Sequence, residues 1–191
     1  MHKIRRMKNI GCLLVGLFIM QMGFSQELTG VVNIDGKPAD KLFNASREWF
    51  ALKFQTPKDE VKLADNNAKV FIVKGERREA VFIKKIRVKI KMNFTLKLEF
   101  KDGRFKYGFT NIEYRNVITN QIIDIEAYNE CSTVEGLEAY YKRNGIPKFL
   151  EGKKEDEAKR NEDNYRIVTV MPTVIINDFT SFLKSKKDEN W

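Results

Sequence analysis

From Ile86 the chain alternates apolar and polar residues without a break. Ile86, Val88, Ile90, Met92, Phe94, Leu96, Leu98 and Phe100 are apolar, and Arg87, Lys89, Lys91, Asn93, Thr95, Lys97 and Glu99 separate them. A period of two is that of a β-strand with one buried face and one wet face. Fully extended, such a strand would run to about 50 Å, beyond the usual length, so it must curve or be interrupted. Lys101-Asp102-Gly103-Arg104 follows. Asp-Gly tolerates the positive φ angles of a tight hairpin turn. That turn pairs Phe100 with Phe105, Leu98 with Tyr107 and Leu96 with Phe109. The partner strand then changes phase, because Ile112 and Tyr114 are even-numbered. A one-residue bulge at Thr110-Asn111 places Phe94 opposite Ile112 and Met92 opposite Tyr114, bending the sheet with its aromatic face concave around a helix.

The other elements read more weakly. Leu28–Ile34 is β-prone and ends at Asp35-Gly36, and Pro38 suits the first turn of a helix. Leu42, Ala45, Trp49 and Leu52, with Phe43, Phe50 and Phe54, form a wide apolar stripe at helical spacing, closed by Pro57. Short strands are expected near Glu60–Ala64 and Lys69–Gly75, around Asp65-Asn66-Asn67. Val117–Ala127 is β-prone. Ten of the fourteen residues in Glu151–Asn164 are charged, with both signs mixed, which reads as a solvated helix or a loose insertion within 129–164. Tyr165, Val168, Met171, Ile175, Phe179 and Phe182 predict a C-terminal amphipathic helix that Pro172 starts or kinks.

Composition narrows the chemistry. The chain has 191 residues and a net charge of +9. A basic segment through residue 9, an apolar run over 10–20 and small residues at Gly23 and Ser25 read as a signal peptide over 1–25, with Gln26 as the new N-terminus. The apolar run is too short for a membrane span of roughly 20 residues. Removing it takes away Lys3, Arg5, Arg6 and Lys8, so +9 less four gives +5 over 166 residues. It also removes His2, the only histidine, and Cys12, one of two cysteines. The remainder, 26–191, reads as one exported α+β domain, bound for the periplasm, the cell surface or the medium. Without imidazole it has no Ser-His-Asp or Cys-His centre and no histidine-bearing metal site. No catalytic residue, metal ligand or cofactor is expected.

The stretch Lys41-Leu42-Phe43-Asn44-Ala45-Ser46-Arg47-Glu48-Trp49-Phe50 resembles the Leu-Tyr-x-x-Ala-x-x-Trp-Phe helix of an exported bacterial domain-of-unknown-function family with a TBP-like fold. The strand pair around Asn66, the long alternating strand and Lys101-Asp102-Gly103-Arg104-Phe105-Lys106-Tyr107 match that family in order and spacing. The similarity covers about Leu28–Tyr114, and the terminal helix fits it. Phe105 stands where the family has Tyr, and Val117–Asn164 is longer. The resemblance implies a curved antiparallel sheet holding helices on its concave face. It brings no catalytic residue, and the name describes shape and not DNA binding.

Four chemical candidates remain. Between Arg77 and Lys91 lie Arg77, Arg78, Lys84, Lys85, Arg87, Lys89 and Lys91 against Glu79. Alternation puts Arg87, Lys89 and Lys91 on one strand face, and Lys97 extends the row. Such a stripe suits an anionic lipid or glycan surface, or it is a solvated face that protects an edge from aggregation. Nucleic acid is not expected, because the rings lie on the opposite face and share no stacking platform with the cations. Asp124, Glu126 and Glu130 would be a carboxylate group only if held in a cleft. Cys131 has no histidine to activate it. Trp49 and the Phe/Tyr cluster are core, or line a groove between sheet and helix. The leading reading is a non-enzymatic envelope module that binds an unknown protein or envelope component. A carrier of a small apolar ligand in that groove is the alternative, and a histidine-free hydrolase ranks last.

Overall fold

The structure is a computed structural model and describes residues 28–54, 60–83, 86–146 and 153–186. The expected signal peptide, Pro57, Lys84 and Lys85 lie outside the described residues. Five strands, β1 (Leu28–Asn33), β2 (Glu60–Asp65), β3 (Val70–Ile83), β4 (Ile86–Lys101) and β5 (Arg104–Asn116), form one antiparallel sheet in the order β1-β5-β4-β3-β2. Helix α1 (Ala39–Lys53) connects the two edge strands, β1 and β2, so it crosses the whole sheet. Four helices follow β5: α2 (Ile125–Glu130), α3 (Val134–Arg143), α4 (Lys154–Thr169) and α5 (Met171–Ser185).

The period-two reading of β4 holds. Ile90, Met92, Phe94, Leu96, Leu98 and Phe100 are all buried. Phe100 pairs with Phe105, Leu98 with Tyr107, Leu96 with Phe109 and Met92 with Tyr114, as the turn and the phase change require. The register shifts between Asn93 and Thr95, where Asn111 takes a positive φ of 53°. This is the expected bulge, made by a residue type that tolerates the left-handed region. The turn itself holds Gly103 at φ 72°.

Helix α1 buries Leu42, Phe43, Ser46, Trp49 and Phe50, at spacings of one, three and four that keep one face to the sheet. Pro38 caps this helix from outside, its carbonyl accepting from Leu42 N–H. Phe43 meets Phe71 and Phe100 edge-on at 6.4 and 6.1 Å. Helix α5 sends Phe179 between Trp49 and Phe105, with centroids 4.9 and 5.0 Å away. Trp49 Nε1 donates to Asp178 Oδ2 at 3.1 Å, joining the two helices over the core. Burial pushes the Tyr114 phenol up to about 12, with Tyr165 adding, and its hydroxyl donates to the Val168 carbonyl of α4 at 3.1 Å.

Three expectations are corrected. The second short strand is the long β3, because Glu76–Ile83 continue to pair with β4 although their sequence is too polar to show a period. Val117–Ala127 is not a strand. A turn over 117–119 and a single bridge, Arg115 to Ile122, lead into α2, whose start the Asp124 carboxylate caps by accepting from Glu126 and Ala127 N–H. The C-terminal helix is two helices that meet at Val170, and Pro172 starts the second of them. Within 129–164, the described part is ordered as α3 and α4, so the charged stretch takes the helical alternative.

Strand β2 covers β3 only as far as Lys74, and among the described residues the outer edge from Gly75 to Ile83 has no strand partner. The buried Asn164 of α4 closes that edge at one point. Its Oδ1 accepts from Phe82 N–H at 2.9 Å and its Nδ2 donates to Phe82 C=O at 2.7 Å. One amide thus imitates the donor-acceptor pair of a neighbouring strand. Asn164→Ala is expected to cost about 1–3 kcal/mol in urea unfolding, from two lost bonds and a partly buried peptide left without partners. A loss below about 0.5 kcal/mol would mean that water replaces the amide.

Candidate functional site

The contacts that tie α1, α4 and α5 to the sheet, other than the Asn164 clasp, fall on the aromatic face. The odd-numbered positions of β4 therefore form the other, open face with their neighbours on β3 and β5. Its charges are set by register. Arg78, Lys91 and Arg115 lie in one row across three strands, and Glu76, Asn93 and Glu113 lie in the next. Like charges side by side on a sheet repel, so the cations need the carboxylates of the adjacent row. Arg78 Nε sits 2.6 Å from Glu76 Oε1, and Lys91 Nζ is 3.8 Å from Glu76 Oε2. Arg115 grips Glu113 with two nitrogens at 2.5 and 3.0 Å. The Arg115 hydrogen bond holds the Glu113 carboxyl below the usual carboxylate range, with Asn93 and Lys91 helping against the desolvation.

This row corrects the expected basic stripe. Lys91 was expected at a wet position, yet its side chain is only 8% exposed and that of Glu76 2%. The strand faces as predicted, but arginines on both flanking strands enclose the lysine. Lys97 is exposed and pairs with Glu99. Glu99 titrates below its ordinary range chiefly through that bond. Arg77 leaves the stripe altogether: it lies opposite Met92 on the helix-covered side and pairs with Glu79 at 3.0 Å. Of the expected stripe, Arg87 and Lys89 stand exposed with no carboxylate in ion-pair range among the described residues. They neighbour Phe82 and Ile86, which are 48% and 68% exposed at the end of the β3–β4 hairpin. The sequence signal for the network was Glu76-x-Arg78 and Glu113-x-Arg115, since side chains two apart share a strand face. A window that opens at Arg77 misses the first carboxylate by one residue.

The remaining candidates do not assemble. Asp124 is a helix cap, Glu126 follows it in α2, and Glu130 forms a two-bond pair with Arg143 at 2.6 Å. Cys131 is buried, and desolvation first, then Glu130 and Glu157, push its thiol up, away from a reactive thiolate. Among the described residues no three His, Cys, Asp or Glu side chains converge to hold a metal. The interface between α1, α5 and the sheet, where a ligand groove was the alternative, is filled by the rings of Phe43, Trp49, Phe105 and Phe179. Beside it, between β5, α2 and α5, lies an open groove of about 630 Å³ lined by Leu28, Ile112, Ile122, Ile123, Ile125 and Pro172.

The division between buried and free cations is measurable. Lys91→Gln removes one of the cations beside the buried Glu76 while Arg78 remains, and is expected to cost about 2 kcal/mol, less than for an isolated buried pair. Arg87→Gln and Lys89→Gln are expected to stay within about 0.5 kcal/mol of the parent in the same urea titration. Equal effects at the three positions would remove the distinction.

Residues 29–115 match the family model described as a domain of unknown function (DUF4468) with TBP-like fold. No curated protein matches the chain. Among solved structures, a DUF4468 family protein from Bacteroides ovatus ATCC 8483 superposes with a TM-score of 0.52 at 10% identity, over 86% of this chain and 89% of its own. A TBP-like protein from Parabacteroides distasonis ATCC 8503 gives 0.51 at 14% identity, over 84% of this chain and 94% of its own. At these identities the likeness is one of fold alone. The match takes in α1 and nearly the whole sheet, so it is over residues 29–115 that the chain is similar to the DUF4468 family and shares its TBP-like fold.

Proposed function

We propose that the protein is an exported, non-catalytic module of the cell envelope that holds to an anionic surface through the open face of its sheet. The observation that carries this reading is the pair Arg87 and Lys89, exposed and free of carboxylates, beside the exposed Phe82 and Ile86. Elsewhere on that face Arg78, Lys91, Lys97 and Arg115 are matched by glutamates. Two unmatched cations beside exposed Phe82, which shares their face, and exposed Ile86 at the start of β4 suit a surface whose outer layer is charged and whose interior is not. Export is supported by the basic, apolar and small-residue order of residues 1–25.

A second reading, a carrier of a small apolar ligand, is favoured by the isoleucine-lined groove of about 630 Å³ beside β5. Mass spectrometry of protein recovered from its native envelope separates the two and tests export. The denatured mass is expected to begin at Gln26, and retention of Met1 would overturn export. Under native conditions the surface module carries nothing, whereas a bound lipid-sized mass would favour the carrier.

Arg87→Gln with Lys89→Gln removes both free cations and leaves the buried network intact. Each lost charge is expected to weaken association with vesicles containing anionic phospholipid by about 1 kcal/mol. Together that is about thirtyfold. Added salt should weaken the parent protein more than the double variant, because fewer charges remain to be screened. Equal co-sedimentation of the two at low salt would sink the surface reading.

A further inference from the structure

The opposite end of the open face, beside the β4–β5 turn, holds a cavity of about 350 Å³ that the surface reading does not use. Register accounts for its lining. Val31, Lys106, Glu99 and Val70 follow one another across β1, β5, β4 and β3 in a single row. In the next row Lys101 and Arg104 stand directly opposite each other. Two cations in that relation repel, and a third, Lys106, lies one row away. The only carboxylate in the lining is Glu99, which pairs with Lys97 and is shared, through the field alone, by Lys106 and Lys101. Asp102, in the turn, accepts from the Ala39 backbone N–H at 2.8 Å. Among the described residues, Lys101, Arg104 and Lys106 form no ion pair, and all three are exposed. The cavity thus gathers three cations between two apolar walls, Val31, which is 61% exposed, and Val70.

We propose that this cavity is a binding site for a sugar bearing an acidic group, which places a phosphate, sulfate or carboxylate among Lys101, Arg104 and Lys106. The apolar C–H face of the sugar ring lies against Val31 and Val70. Three donors around one anion give charge-assisted bonds, with the arginine able to offer two parallel ones. The anion also relieves the repulsion between Lys101 and Arg104, so binding gains from a cost already present in the free protein. The volume lies at the small end of the ligand range of about 300–1,000 Å³, which suits one sugar unit rather than an acyl chain. The site shares no residue with the Arg87–Lys89 end, so either assignment can fail alone.

Amide chemical-shift mapping on the isotope-labelled protein tests this with three probes: glucose 6-phosphate, inorganic phosphate and glucose. Glucose 6-phosphate is expected to shift the Val31, Val70, Glu99 and Lys106 amides in one saturable transition, more tightly than inorganic phosphate, with no shift from glucose. Arg104→Gln with Lys106→Gln should weaken that transition at least about tenfold. Arg87→Gln with Lys89→Gln should leave it unchanged. The first double variant loses one of two opposed cations, so its melting temperature should not fall, and its amide spectrum shows directly that it is folded. Equal affinity for inorganic phosphate and glucose 6-phosphate would overturn the assignment to a sugar. Shifts scattered along the open face, or unchanged in the Arg104/Lys106 variant, would overturn the site itself.

Discussion

The strict alternation of β4 is the constraint on which the rest of the structure depends. Six consecutive inward positions, from Ile90 to Phe100, are large and apolar, and a strand in the middle of a sheet can hide them on one side only. That side must be covered along its length. The covering comes from α1, which the chain order carries from one edge strand to the other, and from α5, whose Phe179 fills the space between α1 and β5. The same alternation leaves a face of Lys, Arg, Glu and Asn with no helix upon it among the described residues. Fold and surface chemistry therefore have one origin.

What could be read from the residues follows from how local each cause is. A two-residue period, an Asp-Gly turn and a phase change are contained within about thirty residues, and β4, β5, most of their pairing and the bulge at Asn111 were legible, although the register skips Phe94, expected opposite Ile112. Most of the α1 stripe was legible for the same reason, since three- and four-residue spacing is self-contained, but Leu52 is 55% exposed and the unread Ser46 is buried. Polar Glu76–Ala80 became strand only because β4 offered them backbone partners, a tertiary cause invisible in their own sequence. Residues 117–127 went the other way. Their β-prone isoleucines, Ile118 and Ile122, are exposed, and the Asp124 cap turned the following residues into a helix.

The candidate site was legible in direction but not in depth. Alternation places Arg87, Lys89, Lys91 and Lys97 on one face, and they share it. Whether each is free depends on the neighbouring strands, which bring Arg78 and Arg115 to either side of Lys91 and set Glu76 and Glu113 one row away. A sequence read strand by strand counts charges, whereas a sheet pairs them. The row that looked like one stripe is therefore a compensated centre.

That compensation divides the labour of the open face. In the centre, burying Lys91 beside Glu76 is tolerable only because each charge meets an opposite one where water is scarce. Substitution there trades against folding, so those positions have little freedom to suit a ligand. Toward the two ends of the sheet the cations outnumber the carboxylates. Arg87 and Lys89 stand by exposed Phe82 and Ile86, and Lys101, Arg104 and Lys106 surround a cavity walled by Val31 and Val70. In both places uncompensated charge adjoins exposed apolar surface, a pairing that raises the free energy of the unliganded protein and is lowered by an anion with an apolar part. The compensated centre is bound up with folding, and the ends, where cations outnumber carboxylates, are the positions whose charge the fold's own stability does not consume.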